Sequence, residues 1–217
     1  MSTSKRTQQF EDRQHKHDHI LRTARGLLER NPMLDTTMAD IAERSGVAKG
    51  TLFLYFPTRE ALMLSMLTID IVAWFDELDQ ALEEGGRWTQ DRVVHMMAQS
   101  VTNKPFFMRL LARLELTFQR AHGTQAAADF NAMLYPRMTK TGELLERRLP
   151  FLKAGEGAWL LLHARAQITG LWLMADSPPE VVKVLKESPL NHLFVDFIKE
   201  FSASMTAFLR GVEVGRA

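Results

Sequence analysis

Cysteine is absent from the 217-residue chain, which excludes disulfide bonds, a thiol nucleophile and cysteine metal ligands. Long uncharged apolar runs are absent too, because Glu156 and Arg165 interrupt the best candidate for a membrane span. The first residues have no apolar core and do not resemble a secretion signal. These absences favour a cytoplasmic protein with no membrane partner.

Strand-like alternation of β-branched residues is almost missing, and residues that favour helices dominate. Neither sign of charge is in excess, since the formal net charge is +1. Glycine is scarce, and no glycine-rich phosphate loop or nucleophile motif occurs, which argues against an enzyme. Composition therefore predicts an all-α protein, and a role in nucleic-acid binding must rest on a local motif.

The most informative segment spans residues 36–64 and reads TTMADIAERSGVAKGTLFLYFPTREALML. Thr37 followed three residues later by Asp40 is typical of a helix start, where both side chains bond free backbone N–H groups. Gly46 suits a tight reversal, because glycine adopts positive φ without a steric penalty. Pro57 interrupts helical hydrogen bonding after a second short helix. This spacing predicts a helix-turn-helix, whose second helix enters the DNA major groove.

The same segment resembles the signature of the TetR family of one-component bacterial transcription regulators. The matching residues read T-x-x-D-I-A-x-x-S-G-V-A-K-G-T-L-F-x-Y-F-x-x-R-E-A-L. The remainder of the chain resembles the family in helical character and length only. The resemblance implies an N-terminal arm and three-helix DNA-binding domain at residues 1–57. It also implies a larger C-terminal helical domain at residues 58–217, for ligand binding and dimerisation.

The resemblance further implies which side chains meet DNA. Base edges would face Lys49, Gly50 and Phe53, whereas phosphates would be held by Thr37, Thr51, Tyr55 and Arg59. The residue chemistry agrees, because lysine can donate to guanine and hydroxyls one helical turn apart can donate to phosphate oxygens. In the alternative interpretation, Phe53 and Tyr55 only pack the small domain. Met38 and Leu54 depart from residues common in the family and indicate a smaller contact set.

Apolar periodicity and stop signals predict the other helices. Their ranges are 17–30, 58–84, 89–102, 105–121, 125–148, 156–175 and 193–210, with a short extra helix at 178–187. Pro136 should kink or split the helix 125–148. Residues 1–15 are expected to be a flexible arm, either a solvated tail or a DNA contact. His15, His17 and His19 alternate along the chain without a third ligand on one face, so no metal site is expected.

Methionine and aromatic residues in the C-terminal region suit an adaptable apolar cavity. We expect effector contacts on two helices: Met108, Leu111 and Glu115 on one face of 105–121, and Trp159, His163 and Gln167 on 156–175. In the alternative, the apolar side chains are ordinary core and the polar ones bond each other. No cofactor is expected.

The last helix carries a broad apolar stripe, and the helix before it has small residues at Ala158, Ala166 and Gly170. Two such helices from each subunit could form a four-helix interface, although both could instead be buried within one subunit. The resemblance favours the homodimer. The overall hypothesis is a repressor that binds a palindromic operator as a dimer and is released by a small hydrophobic effector. The alternatives are a constitutive helix-turn-helix protein without an inducer and a helical enzyme or carrier.

Overall fold

A computed structural model describes residues 2–30, 36–121, 123–189 and 191–215, and within these the side chains of residues 2–5 and 115 lie outside the description. No strand occurs in the described part, and the prediction of an all-α protein is confirmed. The helices are α1 (Ser2–Arg30), α2 (Met38–Arg44), α3 (Lys49–Tyr55), α4 (Arg59–Glu83), α5 (Gln90–Thr102), α6 (Pro105–Ala112), α7 (Leu114–Arg120), α8 (Gln125–Arg148), α9 (Glu156–Ala175), α10 (Pro179–Glu187) and α11 (Phe197–Val214), with a 3₁₀ turn at Asn191–Leu193. Among the described residues, no helix combines the length and apolarity needed to cross a membrane.

The chain forms two compact units. The first comprises Met1–Ile69 and Arg113–Phe130, and the second comprises Asp70–Ala112 and Asn131–Ala217. Helices α4 and α8 each begin in the first unit and continue into the second. The simpler division at residue 57 that the sequence suggests stays a prediction.

The first unit has a core at which its N-terminal helices meet. Helix α1 packs on α2, and α2 packs on α3. These helices, the residue after α3 and the start of α4 contribute apolar side chains that are fully or almost fully buried: Ile20, Ala24, Leu28, Ile41, Ala42, Leu52, Phe56 and Leu62. Burial of these side chains removes apolar surface from water, the main favourable contribution to holding the short helices α2 and α3 in place.

The second unit is built around α9 and α11. Helix α11 packs on α5 and α9, and α6 packs on α5 and α9. Helices α8 and α9 cross with their backbones in contact at two glycines. A Cβ at Gly157 would lie 2.0 Å from the carbonyl oxygen of Gly142, and one at Gly142 would lie 2.6 Å from the amide nitrogen of Ala158. Only glycine permits this separation, because real Cβ atoms never approach backbone so closely.

Within the second unit, polar side chains join α4 to α8. Asp79 is only 3% exposed; its carboxylate accepts a hydrogen bond from the Thr141 hydroxyl and lies 2.9 Å from Lys140 Nζ. The hydrogen bond to Asp79 raises the pKa of Lys140 above its ordinary value. Arg148 Nε donates to the carbonyl oxygen of Leu82 at 2.7 Å. A buried carboxylate needs such partners, because an unpaired charge in the interior is strongly destabilising.

Two sequence predictions at helix starts differ from the structure. Helix α1 begins at Ser2, so the expected flexible arm is helical. Residues 2–16 contain no proline or glycine and many good helix formers, and they extend a helix that the buried residues from Ile20 onward already stabilise. Helix α11 begins at Phe197 rather than at residue 193, because Asp196 caps it by accepting from the backbone N–H of Lys199 at 3.1 Å.

The predicted helix 105–121 is divided in two. Arg113 adopts φ −97° and ψ 1° between α6 and α7, and α6 packs in the second unit while α7 belongs to the first. No proline or glycine marks Arg113, so neither the stop signals nor the apolar periodicity of the sequence indicates a break there. By contrast, α8 runs through Pro136 without interruption. The predicted limits of α9 at residues 156 and 175 are confirmed.

Candidate nucleic-acid interface

The predicted start signal of α2 forms as a reciprocal cap. The Thr37 hydroxyl oxygen accepts a hydrogen bond from the backbone N–H of Asp40 at 3.2 Å, and the Asp40 carboxylate accepts from the Thr37 backbone N–H at 2.8 Å. The Thr37 hydroxyl also donates to that carboxylate at 2.7 Å. These bonds hold the pKa of Asp40 below its ordinary value. Thr37 is exposed and so can also present its hydroxyl outward.

The turn between α2 and α3 depends on one glycine. Gly46 has φ +66°, in the left-handed region that favours glycine. The chain reverses there, and the N–H of Val47 donates to the carbonyl of Ala42 at 3.1 Å. His19 Nε2 on α1 donates to the carbonyl oxygen of Ser45 at 3.1 Å, since a carbonyl only accepts. The turn is thereby fixed to α1 as well as to its own helices.

Helix α3 has a buried side and an open side. Leu52 is fully buried, and Thr51 and Tyr55 are half-buried. Lys49 and Gly50 are exposed, as are Phe53 at 45% and Leu54 at 77%. A methyl group at Gly50 would meet nothing within 4 Å. The outer side therefore combines a cation, a bare backbone position and an aromatic ring, all open to a partner.

Tyr55 has neighbours on α1 that the sequence analysis did not assign. The guanidinium carbon of Arg13 lies 5.9 Å from the centroid of the Tyr55 ring. The ring of His17 lies 6.4 Å from that of Tyr55 and 4.9 Å from that of Phe56. Arg13, His17 and Leu21 recur every four residues and so share one face of α1. That spacing is present in the sequence, but it was missed because Arg13 was assigned to a flexible arm.

Arg59 is partly buried rather than exposed. Its Nε donates to the carbonyl oxygen of Thr36 at 3.1 Å, so the first turn of α4 is tied to the residue before the α2 cap. Its Nη2 is buried without a hydrogen-bond partner in the described part of the chain. This geometry supports the position of Thr37, while the phosphate contact of Arg59 stays a prediction.

The first set of expected effector residues does not lie on one helix. Met108 and Leu111 are buried in the core of the second unit. Glu115 lies on α7 in the first unit, and its side chain lies outside the described residues. The prediction that these three residues share one helical face is wrong, because the helix is broken at Arg113.

The second set, on α9, does share a face, and the face meets α11. The ring of His163 lies 4.4 Å from that of Trp159 and 5.1 Å from that of Phe208. Gln167 Oε1 accepts a hydrogen bond from the Ser204 hydroxyl at 2.9 Å. Gln167 thus has a hydrogen-bond partner within the chain, whereas the contacts of His163 are with aromatic rings. Among the described residues, no group of three or more possible ligands could hold a metal ion.

A capped helix-turn-helix with an exposed second helix defines a class of DNA-binding helical proteins. Family models describe both parts of the chain: residues 20–66 match the bacterial regulatory proteins of the tetR family, and residues 69–216 match the tetracyclin repressor-like C-terminal domain. The chain belongs to the TetR family of bacterial transcription regulators. Members of this family are regulators rather than enzymes, and ligand binding, repression and homodimer formation are typical of them.

Individual relatives are more distant. The chain is 42% identical over 48 residues to the HTH-type transcriptional regulator EthR of Mycobacterium tuberculosis, a match that spans only 22% of each chain. It is 28% identical over 148 residues to the HTH-type transcriptional regulator SAR0097 of Staphylococcus aureus, covering 57% of this chain and 77% of that one. A tetR-family regulator from Streptomyces coelicolor is similar in structure, with a TM-score of 0.49, 16% identity and coverage of 92% and 88%.

Proposed function

We propose that the chain is a repressor that binds a palindromic operator as a homodimer and leaves DNA when a small hydrophobic effector binds. It would act in the cytoplasm, where its operator lies, and would need neither a cofactor nor a membrane. The observation that carries the proposal is the two-sided character of α3. Its inner side is buried at Leu52, while its outer side is open at Lys49, Gly50 and Phe53.

The outer side of α3 has the chemistry of base readout. Lys49 stands at the first position of the helix, where a side chain can reach guanine O6 or N7. Gly50 has no side chain and has open space around it, so a base edge can approach the backbone closely. Phe53 has no polar atom and is suited to a thymine methyl group or a sugar. These three residues are proposed to set the base preference.

The neighbouring hydroxyls have the chemistry of phosphate contact. Thr51 and Tyr55 are half-buried on α3, Thr37 caps α2, and each of the three keeps some solvent exposure. Phosphate contacts fix the register of a protein on DNA without reading its sequence. Arg59 is proposed to contribute by holding the Thr36 carbonyl, and thus Thr37, in place.

The homodimer is proposed to form through α9. Exposed positions along one side of this helix recur at helical spacing and carry no charge: Leu162, Ala166, Gly170 and Leu173. Small residues in the middle of such a stripe allow two helices to approach closely. A twofold axis through the stripe would pair two copies of α3 with the two halves of a palindrome.

The effector response is proposed to pass along α4, because this helix starts in the first unit and ends in the second. A coupling free energy of about 1–3 kcal/mol would change operator occupancy substantially. Met108, Leu111, Glu115, Trp159, His163 and Gln167 remain the proposed effector contacts. A constitutive DNA-binding protein is the second candidate, and the full burial of Met108 and Leu111 favours it.

Selection from a random duplex pool tests the proposal. The chain is expected to enrich one palindromic sequence, and sedimentation is expected to give two chains per duplex.

Lys49→Ala should weaken binding to the selected duplex by about 1–3 kcal/mol, with little effect on a scrambled duplex. Tyr55→Phe should weaken both by about 1 kcal/mol, because it removes one hydrogen bond to a phosphate. Fluorescence anisotropy at one salt concentration gives both affinities.

Lys183→Ala is the matched control, since it removes the same charge from an exposed position on α10. It should leave both affinities unchanged. Failure to enrich any sequence would overturn the proposal, and equal losses for Lys49→Ala and Lys183→Ala would remove Lys49 from base readout.

A further inference from the structure

The first unit contains a groove whose described lining includes none of the expected effector residues and shares Tyr55 alone with the proposed DNA contacts. Its volume is about 710 Å³, and its walls come from α1, the end of α3, the start of α4 and the start of α8. Grooves of this size are in the range that holds small organic ligands. All of its lining residues belong to the first compact unit, which includes residues 113–130.

The body of the groove is mostly apolar and partly uncovered, with a few hydroxyl side chains also in its lining. Phe130 and Leu64 are buried in its wall, whereas Ile69 is 53% exposed and Leu54 is exposed at the end of α3. When a ligand covers large aliphatic side chains of this kind, apolar surface leaves water and the free energy falls. The walls therefore suit a hydrocarbon chain or ring.

One end of the groove carries hydrogen-bond donors. Arg13 and Tyr55 both line it, with the guanidinium carbon 5.9 Å from the ring centroid. Among the described residues, neither side chain has an ion pair or a hydrogen bond with another residue. A smaller groove of about 220 Å³ is also lined by Arg13 and Tyr55 and adds Phe10. A guanidinium beside a phenol is a typical setting for a carboxylate, because charge-assisted hydrogen bonds to Arg are strong.

The start of α8 gives the groove the opposite polarity. Asp129 lines it there, and its Oδ1 accepts a hydrogen bond from Gln125 Nε2 at 2.7 Å. A second negative charge on a ligand would be repelled by this carboxylate. A cationic head group would be repelled by Arg13 at the donor end. The charges thus select a molecule with one anionic end and an uncharged body.

We propose that this groove binds a small monocarboxylate with an apolar chain or ring. Its carboxylate would lie at Arg13 and Tyr55, and its body along Ile69 and Phe130. Because Tyr55 is also a proposed phosphate contact, the bound carboxylate and a DNA phosphate would compete for the same hydroxyl. This consequence rests on the proposed function, and it places a regulatory site in the DNA-binding unit itself.

Calorimetric titration with decanoate, 1-decanol and decylamine tests the binding site. The three probes share one chain and differ in head group. Decanoate should bind more tightly than either of the others. Arg13→Gln should weaken decanoate binding by about tenfold, the effect of losing one charged hydrogen bond, and should leave 1-decanol unaffected. Arg22→Gln is the matched control, because Arg22 is exposed on α1 and does not line the groove.

Filling the groove gives an independent test. Ile69→Trp should abolish decanoate binding, and Ala126→Phe should do the same from the α8 wall if the first variant does not fold. Equal binding of the three probes, or unchanged decanoate binding in the folded filled variant, would overturn the proposal.

Competition is measured with the selected duplex. Decanoate should lower the affinity of the wild-type chain for that duplex and have no effect on the Ile69→Trp variant. If decanoate binds in the groove but the chain selects no duplex, the proposed function fails and the site stands. If a duplex is selected and decanoate leaves its affinity unchanged, the regulatory role fails and the proposed function stands.

Discussion

The helix-turn-helix and the crossing of α8 with α9 are held together by contacts of different range. In the helix-turn-helix, Thr37 and Asp40 cap each other across three positions, and Val47 bonds back to Ala42. At the crossing, the backbone of Gly157 meets that of Gly142, and the Gly157 N–H donates to Glu146 Oε1 at 2.9 Å, 11 positions away. The first region is therefore specified locally, whereas the second depends on the assembled unit.

Gly157→Ala tests the crossing and should have the largest effect. The new methyl group would lie 2.0 Å from the carbonyl oxygen of Gly142 and 2.5 Å from its carbonyl carbon. Neither backbone atom can rotate away, so α8 and α9 must separate and lose packing. We expect a loss of about 3 kcal/mol in the free energy of unfolding, measured by urea denaturation.

Gly26→Ala is the control for this change. Gly26 also lies inside a helix, but a methyl group there meets nothing within 4 Å. It should stabilise the chain by about 0.5–1 kcal/mol, because alanine favours the helix more than glycine does. Equal effects of the two substitutions would mean that the backbone contact at Gly157 contributes nothing to stability.

The same contrast explains what could be predicted from the sequence. The capping pair, the turn glycine and the limits of α9 follow from residues close together in the chain, and they were found. Glu146, Asp79 and Thr141 find their partners 11 or 62 positions away, and nothing local marks those pairings. The break at Arg113 was missed for the same reason, since the two sides of it pack in different units.

The residues of the candidate site show the same difference between local and long-range contacts. The exposed outer side of α3 follows from a local motif, whereas Arg13 and His17 join Tyr55 only because α1 packs beside the end of α3. The partners of Trp159, His163 and Gln167 on α11 likewise come from helix packing. The chemistry of these three residues alone does not indicate whether their partners belong to the chain or to a ligand.

Gly46→Ala tests whether the local region also depends on a single residue. Gly46 has φ +66°, and space around it is open, so the penalty is backbone strain rather than a clash. The expected loss of stability is about 1–2 kcal/mol, smaller than that at Gly157.

Gly50→Ala is the control, because Gly50 lies in helical backbone with equally open space. It should not destabilise the fold but should weaken operator binding. A stable Gly46→Ala chain would show that the turn can shift to another conformation.

The smallest expected effect concerns the cap of α2, the most local contact in the comparison. Thr37→Ala should lower the free energy of unfolding by about 1 kcal/mol at neutral pH, as cap removal usually does.

The Thr37 hydroxyl and backbone N–H hold the pKa of Asp40 below its ordinary value of about 3.9. A lowered folded-state pKa means that the Asp40 contribution is present above the unfolded-state pKa and is lost as pH falls through the folded-state value. The stability difference between wild type and Asp40→Asn should therefore be constant from neutral pH down to about pH 5 and shrink below pH 4. Urea denaturation at several pH values measures it, with Asp91→Asn in the first turn of α5 as the control for the same change near a helix start. A difference that stays constant through pH 3 would show that the Asp40 charge has no part in the cap, and the local region would then be held by hydrogen bonds of neutral groups alone.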